Sequence, residues 1–147
     1  MTNTGQPSHY QERLTQSITL LWHGPKQKAA ELGPNRVRQL LHTKRGNYVF
    51  RQLKKQQQRD TLFMLLDREL GSWRPMEYAH IRYTSYWCGQ RMDEDNIIGG
   101  MKYILDAVVL SELLINDSRD YIKILPVEFV KVPHKSDIKF TMEIIEQ

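Results

Sequence analysis

Residues 97–110 have the sequence IIGGMKYILDAVVL. Apolar side chains recur in this stretch at intervals of three and four positions, which is the spacing of one face of an α-helix. That face consists of Ile97, Ile98, Met101, Ile104, Leu105, Val108 and Val109. Lys102 and Asp106 are four positions apart and fall outside it. The stretch therefore predicts a helix with one buried face and a lysine–aspartate pair elsewhere on its surface.

Segments on both sides of this helix have the composition of β-strands. Residues 17–22 and 76–87 are rich in β-branched and aromatic side chains. Residues 113–115 and 121–132 predict two further strands, and Pro126 within the second predicts an edge position or a bulge. Apolar and polar residues alternate over 138–144, which is typical of a half-buried strand.

A second helix is predicted for residues 50–70, with Gly71 just after its end. Its apolar stripe would be Leu62, Phe63, Leu66 and Leu70. Residues 26–49 lack clear periodicity and contain turn-forming residues, so we expect a mobile basic loop there. Residues 1–12 are polar and are expected to be disordered. These elements predict a single α+β domain over residues 1–147, with a mixed, mainly antiparallel sheet and two principal helices.

The composition excludes several classes of protein. Hydrophobic residues make up 40% of the chain and charged residues 26%, which is typical of a globular domain and not of a disordered one. No apolar run approaches the ~20 residues of a membrane helix, and the N-terminus lacks a signal-peptide pattern. Cys88 is the single cysteine, which excludes an intramolecular disulfide and a cysteine-based zinc cluster. We therefore expect a cytoplasmic protein with no membrane partner.

Positive charge is concentrated in residues 26–59. This segment has ten basic residues and one acidic residue, whereas the rest of the chain has eleven basic and sixteen acidic residues. Such segregation favours a polyanionic partner, most commonly nucleic acid, although a solvated basic surface has the same composition. The residues expected to contact DNA phosphates are Lys44, Arg45, Arg51, Lys54, Lys55 and Arg59.

Acidic residues are concentrated between the predicted strand 76–87 and the helix 97–110. Asp93 and Asp95 project to the same side of an extended backbone, and Asp117 follows the next predicted strand. If the fold brings the three carboxylates together, they would offer the oxygen ligands that Mg²⁺ or Mn²⁺ prefers. Such a metal could activate water for attack on a phosphodiester. Alternatively, Asp95 or Asn96 caps the helix, Asp93 and Glu94 are favoured by its positive end, and residues 116–118 form a turn.

The order of these motifs resembles that of the RusA family of Holliday-junction resolvases. The similarity extends over about residues 91–147 and is weaker over 17–25. The segments that carry it are residues 91–96, Lys102, residues 105–107, residues 114–118, and residues 131–133 with the tail from Ile138. The family consists of small, homodimeric, Mg²⁺-dependent endonucleases, often encoded by phages, that cut four-way DNA junctions symmetrically. The resemblance implies that Asp93, Asp95 and Asp117 are catalytic metal ligands and that Lys102 is the catalytic lysine.

Two departures from the family pattern stand out. The stretch from Asn96 to Lys102 is three residues longer than in the best-known form, which is nearly one helical turn. The usual acidic pair after the strand is Asn116 and Asp117 here, so one acid of the pair is missing. All three principal carboxylates are nevertheless present, and an active enzyme is expected.

The resemblance implies a structure-selective endonuclease that cuts four-way and branched DNA by metal-dependent hydrolysis, in recombination, repair or phage DNA processing. A homodimer would present two sites about a two-fold axis, which matches the symmetry of a four-way junction. Lys102 would offset negative charge on the phosphate. Two alternatives remain: a non-catalytic DNA-junction binder of the same fold, and a structural domain whose acids only cap and turn.

Overall fold

The computed structural model describes residues 16–23, 32–66 and 74–147. In these residues the elements follow one another as β1 (Ser17–His23), α1 (Pro34–Leu40), α2 (Lys44–Leu66), β2 (Ala79–Trp87), α3 (Glu94–Leu110), β3 (Ile122–Ile124), β4 (Glu128–Lys131) and β5 (Lys139–Glu146). A short 3-10 helix, Lys135–Asp137, precedes β5. Helices and strands are mixed along one small domain, which confirms the predicted α+β class.

The sheet is mixed and mainly antiparallel, as expected. β5 pairs antiparallel with β1 on one side and with β2 on the other. β3 and β4 both pair parallel with the far edge of β2. Pro126 lies between them, so the single strand predicted for 121–132 is divided, because proline has no N–H for the ladder. The strand predicted for 113–115 is reduced to one isolated bridge, between Leu114 and Met76.

The core lies between α3 and one face of the sheet. α3 buries Ile97, Met101, Ile104, Leu105 and Val108, while Ile98 and Val109 are partly buried beside them. The alternating residues Phe140, Met142 and Ile144 of β5 are buried in the same cluster. The predicted apolar face of this helix is therefore confirmed, as is the alternation of the last strand.

Residues 34–49 are mostly helical, which corrects the expectation of a loop. α1 begins at Pro34, a residue whose fixed φ suits the first turn of a helix. The Thr43 hydroxyl oxygen accepts a hydrogen bond of 2.9 Å from the Gly46 N–H, which caps the start of α2. Residues 26–31 of the expected loop lie outside the described residues, as do residues 1–12.

α2 turns a different face to the core than its sequence predicts. Gln57, Thr61 and Leu65 are buried, whereas Phe63 is exposed and Leu62 is half-buried. The Thr61 hydroxyl donates to the Gln57 carbonyl at 2.8 Å, so this polar group is satisfied inside the protein. The predicted apolar stripe was wrong, because polar residues occupy two of the buried positions. Leu66 and Leu70, the other two members of that stripe, lie outside the described side chains. No helix within the described ranges combines the length and apolarity needed to cross a membrane.

Candidate functional site

The exposed side of α2 carries a row of basic side chains. Successive residues of a helix are rotated by about 100°. Lys44, Arg51, Lys55 and Arg59 therefore share one side of α2, Arg45 lies at its margin, and all five are exposed. We call these five residues the cationic face. The only acid of α2, Asp60, accepts a hydrogen bond of 2.8 Å from the Gln56 amide.

Lys54 lies apart from the cationic face and points toward α3. Its Nζ atom is 5.9 Å from the ring centre of Phe50 and 6.0 Å from that of Tyr103. These two rings pack edge to face, with their centres 5.6 Å apart, and so join α2 to α3. The six basic residues expected to contact phosphates therefore divide into five that face outward and one at the junction of the two helices.

Beyond this junction, Asp106 of α3 meets Asp117 of the loop that precedes β3. The two side chains lie close enough to interact, and a hydrogen bond to Asp117 is one of the causes that raise the pKa of Asp106. Partial burial and the charge of Asp117 raise the pKa of Asp106, while the ammonium groups of Lys102 and Lys54 act in the opposite direction. We call Lys54, Lys102, Asp106 and Asp117 the acid–lysine cluster. It places two carboxyl groups and two lysines on one small surface.

A turn positions Asp117 in this cluster. The side-chain oxygen of Asn116 accepts a hydrogen bond of 3.0 Å from the Ser118 N–H, which fixes the backbone on both sides of Asp117. The expected turn at this place is therefore confirmed. Asn116 therefore has a structural contact in this turn.

Asp93 and Asp95 lie at the opposite end of α3. Asp93 is the N-cap residue, although its side chain makes no capping hydrogen bond, and Asp95 is in the first turn. Both side chains are exposed. Asp95 precedes Asp106 by eleven residues, which corresponds to about 16 Å along the helix axis. Carboxylates favour the positive end of a helix, so their positions fit the structural alternative.

The surface between these two groups of acids is occupied by α1. A Cβ atom built on Gly99 would lie 2.6 Å from Cγ of Pro34, so the two helices touch at this position. Gly99 lies on the same side of α3 as Asp95 and Lys102, and it falls between them along the chain. α1 therefore packs against the turn of α3 that lies between Asp95 and Lys102. Gly99 permits this close helix packing.

The three carboxylates of the expected metal site are not brought together. Asp93 borders one surface depression, beside Arg91 and Asn96, and Asp117 borders another, beside Tyr78 and Arg119. Over residues 16–23, 32–66 and 74–147, no three His, Cys, Asp or Glu side chains are placed to hold a metal ion. This arrangement does not fit a cation bound by Asp93, Asp95 and Asp117, and we derive no step through one.

Three cation–aromatic contacts at the end of β2 were missed by sequence reasoning. Arg91 lies 4.2 Å from the Phe129 ring centre, Lys131 5.4 Å from that of Trp87, and Lys139 4.5 Å from that of Tyr86. These basic residues lie in the part of the chain that is acidic overall. Only strand pairing brings each of the two lysines to its ring, so no spacing in the sequence indicates them.

Comparisons with known proteins assign no family to this chain. The chain matches no protein-family model, and no match was found among curated proteins.

Proposed function

We propose that this protein is a structure-selective endonuclease that acts on four-way and branched DNA. The observation that carries the proposal is the position of Lys54. This residue belongs to α2, the helix that carries the cationic face, yet its Nζ atom lies 6.0 Å from the Tyr103 ring centre on α3, and its charge opposes the upward shift of the Asp106 pKa. The cationic face and the acid–lysine cluster are therefore neighbouring parts of one surface, as a nuclease requires. The motif order shared with RusA resolvases supports the same activity.

The cationic face would hold the DNA through its phosphates, without reading the base sequence. A DNA backbone that crosses from α2 to α3 would meet Lys54 first and then Lys102. Their ammonium groups would offset the negative charge that develops on the phosphate oxygens during hydrolysis. A carboxylate of the Asp106–Asp117 pair would accept the proton of the attacking water. In-line attack of the water oxygen on phosphorus would break the bond to the 3′ oxygen, which would take up a proton from solvent, and would leave a 5′-phosphate and a 3′-hydroxyl.

The proposal also includes an assembly, a cofactor and a setting. A homodimer would present two cutting sites about a two-fold axis, in keeping with the symmetry of a four-way junction. A requirement for Mg²⁺, with Mn²⁺ as a substitute, rests on the resemblance alone. Action in the cytoplasm, during recombination, repair or phage DNA processing, rests on the same ground.

The experiment that tests this function is incubation of the protein with a four-way junction that has a mobile core, with and without Mg²⁺. Paired nicks are expected from the proposed enzyme, and their loss without Mg²⁺ would support the cofactor that the resemblance implies. A junction that is bound but remains uncut indicates the alternative, a DNA-junction binder without catalysis. A junction that is neither bound nor cut contradicts both.

The non-catalytic alternative is favoured by one specific observation, the separation of Asp93 and Asp95 from Asp117. Single-turnover cleavage by three variants measures what each end of α3 contributes. Lys102→Ala and Asp117→Asn should lower the rate by about 10²–10³-fold at unchanged junction affinity. A similar loss in Asp95→Asn would show that the carboxylates act together, as the resemblance implies. A wild-type rate in Asp95→Asn would limit the reaction to the acid–lysine cluster.

A further inference from the structure

Two aromatic side chains of α2 are exposed without a packing reason. Tyr48 is 57% exposed and Phe63 is 58% exposed. Of the large hydrophobic side chains that are exposed in the described part of the chain, only these two are aromatic. α2 turns Gln57 and Leu65 to the interior instead, so neither ring contributes to the core.

Both rings belong to the same side of α2 as the basic residues. Tyr48 follows Lys44 by four residues and precedes Arg51 by three. Phe63 follows Arg59 by four residues. Side chains at these spacings are neighbours on a helix surface. The two rings therefore lie at either end of a row of three positive charges, about 22 Å apart along the helix.

Phe63 also borders a surface depression of about 410 Å³. The other described residues around it are Lys55, Gln58, Arg59 and Leu62, and none of these is acidic. The depression thus combines an aromatic ring and an aliphatic side chain with two cations and one amide. The amide can both donate and accept hydrogen bonds, as the edge of a nucleobase requires.

We infer that α2 binds single-stranded DNA, with unpaired bases stacked on Tyr48 and Phe63 and with phosphates held by the cationic face. This inference deepens the proposed DNA binding and rests on it. The combination of basic side chains with exposed aromatic rings is typical of single-strand binding surfaces, because every base has a face that can stack. The inferred substrate is a branched DNA whose strands open at the branch point.

Charge and pattern disfavour the other occupants of this surface. A second copy of the chain would oppose one cationic face to another, and like charges repel. An anionic membrane surface would need a continuous apolar strip, whereas Arg51, Gln52 and Lys55 separate the two rings. Single-stranded DNA is flexible, negatively charged and exposes the aromatic faces of its bases, so it complements both the cations and the rings of α2.

Fluorescence anisotropy with a 12-nucleotide single strand and its duplex tests the inference. Tyr48→Ala and Phe63→Ala should each weaken binding of the single strand by about tenfold and leave the salt dependence unchanged. Tyr48→Phe should bind like the wild type, because the ring is retained. Leu110→Ala is the matched control, since Leu110 is 67% exposed at the end of α3 and its truncation should change nothing.

The outcomes separate this inference from the proposed function. If the wild type binds DNA but neither aromatic variant loses affinity for the single strand, the inference is overturned and the proposed function stands. If the wild type binds no DNA of any kind, the proposed function fails as well. If Phe63→Ala instead alters the sedimentation coefficient or abolishes binding to phosphatidylserine vesicles, α2 serves self-association or a membrane, and the inference is again overturned.

Discussion

Tyr83 of β2 has a buried hydroxyl group with no hydrogen-bond partner among residues 16–23, 32–66 and 74–147. Its ring packs at 5.9 Å from that of Phe140, and burial raises the pKa of the phenol well above its ordinary range. A buried polar group without a partner costs free energy, because water satisfied it in the unfolded chain. Tyr83→Phe should therefore raise the free energy of unfolding by about 1 kcal/mol. Urea denaturation measures the change, and a loss of stability would reveal a partner for the hydroxyl.

Asp106 is a second group that lowers the stability of the folded protein, in this case through its charge. Its pKa is raised in the folded protein, so its charged form is disfavoured there. As the pH falls through the raised pKa toward the ordinary value of 3.8, Asp106 takes up a proton in the folded protein before it does so in the unfolded chain. Its unfavourable contribution to the free energy of unfolding should therefore diminish over this range. Asp106→Asn should therefore be more stable than the wild type at pH 7, and the difference should narrow on acidification. Thermal unfolding of both proteins across this range tests the sign.

At the level of elements, α1 and α3 depend on one glycine for their close approach. A Cβ on Gly99 would lie 2.6 Å from the Pro34 ring, which is closer than atoms pack. Alanine usually stabilises the interior of a helix relative to glycine, by up to about 1 kcal/mol. Here overpacking, at about 1–3 kcal/mol, should outweigh that gain, so Gly99→Ala should lose stability.

The double variant provides the control for this packing argument. Pro34→Ala removes the ring atoms that the new methyl group would meet. In this background Gly99→Ala should no longer destabilise the protein, and its helix propensity should make it neutral or stabilising. Equilibrium unfolding of the two single variants and the double variant gives the coupling energy. A coupling energy of zero would show that α1 and α3 tolerate the methyl group by other adjustments.

At the level of the whole molecule, charge segregation predicts a strong dependence of DNA affinity on salt. If about six phosphates are neutralised, log K should fall with log salt with a slope of about −5. Replacing Lys55 and Arg59 with alanine should flatten the slope by about two, because both belong to the cationic face. Lys54→Ala should affect cleavage more than the slope, because Lys54 faces α3.

Titration of DNA binding at several salt concentrations tests this division. Lys135 lies outside α2 and is exposed, so Lys135→Ala is the matched control and should keep the wild-type slope. An unchanged slope in the Lys55 and Arg59 variant would place the DNA-binding surface elsewhere. The cation–aromatic contacts at the end of β2 would then be the next surface to examine.

Local pattern alone predicted much of the scaffold. The apolar face of α3, the alternation of β5 and the strand character of β1 and β2 depend on neighbours within a few residues, which the sequence states directly. The concentration of basic residues before residue 60 was visible in the same way. The helices over 34–49 were missed because their signals are the end residues Pro34 and Thr43 and not a periodicity.

The arrangement of the candidate site was decided only by the tertiary structure. Periodicity places Lys102 and Asp106 on one surface, but it cannot show that Asp117 returns to Asp106 and not to Asp93 and Asp95. That outcome depends on the length of α3 and on the packing of α1 against Gly99. The position of Lys54 likewise depends on the orientation of α2 about its own axis, which places Gln57 and Thr61 in the interior. Such contacts join residues distant in the chain, and their geometry comes from packing and not from spacing.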